Sequence, residues 1–142
     1  MKFGTTNIAQ KILDNLKAIQ KENKIKEVET LQGRDFSVEM ETGTGKTYIY
    51  LRTILELNRE YGFKKFIIIV PSVAIREGVL KTLEITKQHL KQIYDNIAYN
   101  FCEYDSSKLS RIRQFSRNNN VEILVMTLDS FNKDTNIMNQ NI

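Results

Sequence analysis

The sequence predicts an α/β fold, a parallel sheet covered on both faces by helices, and three observations carry that expectation. Segments with strand character alternate with segments of helical period. Residues 66–70 and 121–126 are apolar almost throughout, the pattern of strands buried on both faces. A glycine-rich turn at residues 43–47 lies between a strand-like and a helix-like stretch. With 142 residues and 41% apolar content, the chain can fill one hydrophobic core.

The elements follow in order. Ile8, Ile12, Leu16 and Ile19 recur at helical spacing, so residues 7–20 are expected to form an amphipathic helix with Asn7 available as its cap. Residues 21–35 are charged and lack a period, and Gly33-Arg34-Asp35 reads as a turn that ends this surface connection. Residues 36–40 are a short strand, and residues 46–60 a helix brought to an end by Tyr61-Gly62. Residues 66–70 are a β-branched strand stopped by Pro71, followed by a helix over 73–93. A strand at 97–101, a short basic helix at 106–116 and an apolar strand at 121–126 complete the alternation. The end, residues 132–142, is rich in Asn and is expected to be loose.

The turn between the first strand and its helix carries the chemistry. Met40-Glu41-Thr42-Gly43-Thr44-Gly45-Lys46-Thr47 supplies every position of a Walker phosphate loop except the first glycine, where Met40 stands. Glycines at 43 and 45 let successive amides point inward at a polyphosphate, and the following helix adds its positive end. Thr42, Gly43, Thr44, Gly45, Lys46 and Thr47 are therefore the expected ATP-binding residues. Lys46 should reach the β- and γ-phosphates and is the candidate catalytic group, while the Thr47 hydroxyl should meet the Mg²⁺ that accompanies ATP. A methionine at position 40 is acceptable if the two later glycines carry the tight bend.

Three longer strings extend the reading. Val38 to Tyr48 with Tyr50-Leu51-Arg52-Thr53-Ile54, then Phe66-Ile67-Ile68-Ile69-Val70-Pro71-Ser72-Val73-Ala74-Ile75-Arg76-Glu77-Gly78-Val79, then Thr127-Leu128-Asp129-Ser130-Phe131-Asn132 resemble the Res subunits of type III restriction enzymes, helicase-like proteins of superfamily two. That family commonly has methionine where Met40 stands. The resemblance covers roughly residues 36–142. It implies a P-loop NTPase domain of the RecA-like three-layer kind, present in part. It further implies a parent protein that hydrolyses ATP to translocate on DNA, cuts through a separate nuclease domain and works with a methyltransferase subunit that recognises the site. Residues 1–35 then read as an amino-terminal helix and connection, and residues 36–142 as a partial ATP-binding motor domain. The Asp-Glu box, the arginine finger and the nuclease carboxylates would lie beyond Ile142.

Within that reading, Pro71-Ser72 and Thr127 to Ser130 leave the carboxyl ends of parallel strands, where open α/β sheets place ligands. Ser72, Arg76, Thr127 and Ser130 are the candidates for contact with the DNA backbone, with helix capping as the competing role for the hydroxyls. Asp129 is a second candidate for a metal-side acid, although Thr127 and Leu128 separate it from the apolar strand. It would serve the alternative of a small self-contained P-loop kinase or switch, and a DNA-binding module is a third possibility.

The remaining features bound the function from outside. A net charge of +4 is compatible with a polyanionic partner, but both signs are spread along the chain. Lys108, Arg111, Arg113 and Arg117 form a basic stretch that reads first as a solvated helix face. His89, the single histidine, has no ligand-spaced neighbours, and Tyr48, Tyr50, Tyr94 and Tyr99 read as packing residues. Cys102, the single cysteine, is expected to be buried and inert. Helicases of the superfamily that the chain resembles often recognise adenine through a glutamine ahead of the phosphate loop, and Gln10 is the candidate for that role here. No apolar run approaches the roughly 20 residues of a membrane span, and no secretory signal opens the chain, so the cytoplasm is the expected compartment.

Overall fold

The structure, a computed structural model, describes residues 5–33 and 35–133, which form two compact units dividing between Glu39 and Met40. Arg34 of the expected turn and most of the Asn-rich end, residues 134–142, lie outside the described residues.

The first unit is built on α1 (Thr5–Glu22), two residues longer at each end than the periodicity predicts. Its end is closed by Lys24 in the left-handed region (φ 56), which lets Lys24 N reach Lys21 O at 3.1 Å and Ile25 N reach Gln20 O at 2.8 Å. This paired return of amides to carbonyls of the last turn stops the helix without a glycine. The strand expected at residues 36–40 does not form. Phe36 and Val38 are 54% and 79% exposed, and the segment is not one of the three strands of the sheet. Alternation of apolar and polar residues marks a segment able to pair; a strand also needs a neighbour to take its amides and carbonyls.

The second unit contains α2 (Lys46–Tyr61), β1 (Lys65–Val70), α3 (Val73–Ile93), β2 (Tyr99–Glu103), α4 (Leu109–Arg117), β3 (Val121–Thr127) and α5 (Leu128–Asn132). The sheet has the order β1-β3-β2, with both pairs parallel. Its register runs from Lys65↔Glu122 to Val70↔Thr127 on one side and from Tyr99↔Val121 to Glu103↔Val125 on the other. The carboxyl ends of all three strands therefore share one edge of the sheet.

Helices cover both faces, which gives the three layers of a partial RecA-like domain. Leu51, Ile54 and Leu55 of α2 and Val79, Leu83 and Leu90 of α3 pack with Val70, Tyr99, Val121, Ile123 and Val125. On the opposite face Leu124 and Met126 meet Cys102 and Tyr104, with Ile112 and Phe115 from α4 and Phe131 from α5. Every residue of β3 is buried, including Glu122, whose carboxylate accepts a bond of 2.8 Å from Asn100 Nδ2 on the neighbouring strand. The equally apolar β1 differs from the expectation of burial on both faces. It is an edge strand, and Ile67 and Ile69 are 43% and 42% exposed.

Two boundaries move for local reasons. The strand expected to begin at residue 97 begins at Tyr99, because Asp95 and Asn96 take positive φ (48 and 61) and Ile97 N is held by Tyr94 O at 2.8 Å. The helix expected from residue 106 begins at Leu109, because Asp105 organises a turn first. Asp105 Oδ1 accepts from Ser107 N at 2.9 Å and Ser107 Oγ at 2.6 Å, and Asp105 O accepts from Lys108 N at 3.0 Å.

Candidate functional site

The turn before α2 has the backbone its glycines suggest. Gly43 and Gly45 adopt φ of 82 and 84, whereas Met40 has no positive φ, so the methionine at the first loop position is unstrained. A Cβ added at either glycine would meet nothing within 4 Å. Glycine is needed there for conformation and not for space. Gly45 is also the N-cap of α2 and offers no side-chain bond, which leaves the first-turn amides of the helix uncapped by any side chain.

The loop closes on one carbonyl. Glu41 O accepts from Lys46 Nζ at 2.7 Å and from Thr44 Oγ1 at 2.6 Å, with Thr44 N at 3.4 Å. The Lys46 ammonium is thus folded back over the loop. Residues 41–46 are exposed, and Thr47 in the first turn of α2 is half-buried. A neutral carbonyl is a weaker partner for an ammonium than a phosphate oxygen, so a bound phosphate would compete with Glu41 O for Lys46. Glycine conformation, uncapped helix amides and an ammonium already over the turn together fit a polyphosphate. One turn further along α2, the Tyr50 hydroxyl is buried with no partner in good hydrogen-bond geometry. Burial raises its pKa, and the nearby Thr47 side chain offsets part of that rise.

A second group of residues gathers at the shared carboxyl edge of the strands. Ser72 caps α3: its side chain accepts from Ile75 N at 3.4 Å, and its carbonyl accepts from Arg76 N at 3.0 Å. Thr127 caps α5, with its Oγ1 accepting from Ser130 N at 3.2 Å and lying 2.9 Å from Ser130 Oγ. Capping, the competing role for the two hydroxyls, is therefore present at both corners. Arg76 and Ser130 line one hollow of about 330 Å³ together with Glu103, Tyr104, Asp105, Ser106 and Lys133. Ser72, the cap of α3, and Thr127, the cap of α5, stand at the carboxyl ends of the paired strands β1 and β3, and neither lines that hollow.

Residues that the sequence did not single out complete this edge. Glu103, at the end of β2, lies 3.3 Å from Arg76 Nη2, and Glu77 Oε1 takes both Arg76 Nη2 and Nε at 2.9 and 3.2 Å. Hydrogen bonds from Ser107 and Lys108 hold the Asp105 carboxyl well below the usual carboxylate range. No local signal marks Glu103, because its partner is 27 residues away on another element. Glu41 was visible in the loop string, but its main-chain oxygen acts, and no residue type announces that.

Most of the other candidates pack or pair within the chain. Tyr94 and Tyr99 are in the main core, with Tyr48 and Tyr50 packed against it. His89 Nε2 lies 3.0 Å from Tyr48 Oη, and among the described residues no group of three or more His, Cys, Asp or Glu is placed to hold a metal ion. Asp129 is exposed in the first turn of α5, and Gln10 on α1 donates to Asp14 Oδ1 at 2.9 Å. Arg111, Arg113 and Arg117 are exposed on α4, and Lys108 pairs with Asp105 at 2.9 Å, while Ile112 and Phe115 turn inward. Cys102 is half-buried, and burial, assisted by the Glu122 charge, pushes its thiol up, away from the reactive thiolate. Among the described residues no helix is long and apolar enough to cross a membrane.

Comparison with known proteins agrees with this architecture. The family model described as Type III restriction enzyme, res subunit, matches residues 5–142. The chain is 35% identical over 103 residues to the Type III restriction-modification enzyme StyLTI Res subunit of Salmonella typhimurium, which is 71% of this chain and 10% of that protein. It is 40% identical over 91 residues to the EcoPI Res subunit of Escherichia phage P1, covering 61% of this chain and 9% of the relative. Against the EcoP15I Res subunit of Escherichia coli the identity is 39% over 108 residues, 63% of this chain and 11% of the relative. The chain spans about a tenth of the length of the curated relatives it matches.

Proposed function

We propose, for a chain that belongs to the family of type III restriction enzyme Res subunits, that residues 36–142 are the ATP-binding portion of a DNA-translocating motor. ATP with Mg²⁺ is held by Thr42, Gly43, Thr44, Gly45, Lys46 and Thr47. Lys46 leaves the Glu41 carbonyl for the β- and γ-phosphates, and the Thr47 hydroxyl faces the metal side. Bound Mg²⁺ would supply charge neutralisation; the chain's own part is to bind and orient the phosphates. Ser72, Arg76, Thr127 and Ser130 touch the DNA backbone at the strand ends. Turnover, translocation and cleavage belong in this reading to the complete Res subunit, working in the cytoplasm with a methyltransferase and specificity subunit.

The observation that supports this best is the pair of left-handed glycines at 43 and 45 leading into a helix whose first amides carry no side-chain cap. Calorimetric titration with ATP and Mg²⁺ tests it. Binding should be weak in the unaltered chain and undetectable in Lys46→Ala. Equal affinity in the two proteins would remove the loop assignment.

A further inference from the structure

The hollow at the strand ends contains a charge arrangement that the proposed DNA contact does not use. Arg76 is largely enclosed, its side chain only 18% exposed, and its Nη2 is shared between Glu77 Oε1 at 2.9 Å and Glu103 Oε2 at 3.3 Å. Glu77 is the next residue on α3, and its side chain is 59% exposed, so it fixes the guanidinium from the helix side. Glu103 comes from the end of β2 and lines the hollow itself. The other acid there, Asp105, is already taken up by Ser107 and Lys108. Among the described residues, Glu103 is therefore the acid lining the hollow that pairs with Arg76.

We propose that Glu103 is a built-in competitor for Arg76, a carboxylate that stands where a DNA phosphate would otherwise sit and must yield Nη2 before the backbone can engage. A carboxylate and a phosphate present similar charged oxygens to a guanidinium, so the two compete for the same edge of the fork. The pair keeps the arginine pointed into the hollow in the absence of DNA. It also lowers affinity for any polyanion that cannot displace it. Glu103 is thus a positioning residue acting through Arg76. This inference rests on the reading of the corner as a DNA contact.

The test is fluorescence anisotropy of the 142-residue chain with a short mixed-sequence DNA duplex, over a range of salt. Release of a partly exposed ion pair of this kind is worth roughly two- to fivefold in binding. Glu103→Gln should tighten binding by that factor and leave the slope of log affinity against log salt nearly unchanged, because Arg76 makes the same phosphate contact in both complexes once the pair has opened. Glu103→Asp keeps the charge but shortens the reach, and should tighten binding in the same direction. Glu84→Gln, which removes the same charge from the exposed side of α3, should have a smaller effect. Arg76→Ala should weaken binding, and adding Glu103→Gln to it should change nothing further. A gain from Glu103→Gln that persists undiminished in the Arg76→Ala background would overturn the proposal, since it would be a bulk charge effect. So would unchanged binding in both Glu103 variants, even with Arg76→Ala weakened as expected. Equal binding by Arg76→Ala and the unaltered chain would instead remove the DNA assignment of the corner on which the inference stands.

Discussion

The phosphate loop and the strand-end corner are both candidate sites, but they are made in opposite ways. The loop is local: its bonds to Glu41 O come from residues three and five positions along the chain. Its shape follows from two glycines with φ near +80. The corner is assembled from α3, β2 and the start of α5, brought together only because three parallel strands end on one edge of the sheet. A site of the first kind should survive damage to the core better than a site of the second kind.

The largest expected effect comes from undermining the sheet. Leu124, fully buried in β3, faces the cluster shared with α4 and α5. Leu124→Ala should cost about 2–5 kcal/mol in urea denaturation. In the fraction that remains folded, duplex DNA binding should weaken more than ATP binding. Equal loss of both would break the distinction between a local and an assembled site.

A smaller effect is expected from the loop itself. Gly45→Ala places a Cβ on a residue at φ 84, where space is open but the conformation is not. The cost should be about 1–2 kcal/mol in stability, with a clear loss of ATP affinity and unchanged DNA affinity. Calorimetry and anisotropy on the one variant separate the two readouts. The smallest effect belongs to Tyr50. Its buried hydroxyl lacks a well-placed partner, so Tyr50→Phe removes a desolvated group that gains little in return. Thermal melting should show stability unchanged or raised by up to about 1 kcal/mol. A marked loss would mean that the hydroxyl is bonded after all.

The same contrast explains what the sequence revealed. The loop was legible because glycine at 43 and 45, lysine at 46 and threonine at 47 each have a stereochemical or ionic reason to be there. The buried strand β3 was legible to within one residue because an unbroken apolar run admits few other fates. The run in β1 looks the same, yet Ile67 and Ile69, which share one face, are exposed, since apolar composition does not say which face of a strand a helix will cover. The segment 36–40 has the right alternation but no place in the three-stranded sheet. At the corner, Ser72, Arg76, Thr127 and Ser130 could be named from their positions after strands. Glu103 could not, because its meaning lies in the distance to Arg76.

The central claim is that the amides of residues 43–47 converge on a polyphosphate. Amide nitrogen–proton correlation spectra, recorded while ATP and Mg²⁺ are added, address it directly. The largest shifts should fall on Gly43, Thr44, Gly45, Lys46 and Thr47, and inorganic triphosphate should reproduce most of them. Saturable shifts confined to other residues, with these five amides unmoved, would contradict the account.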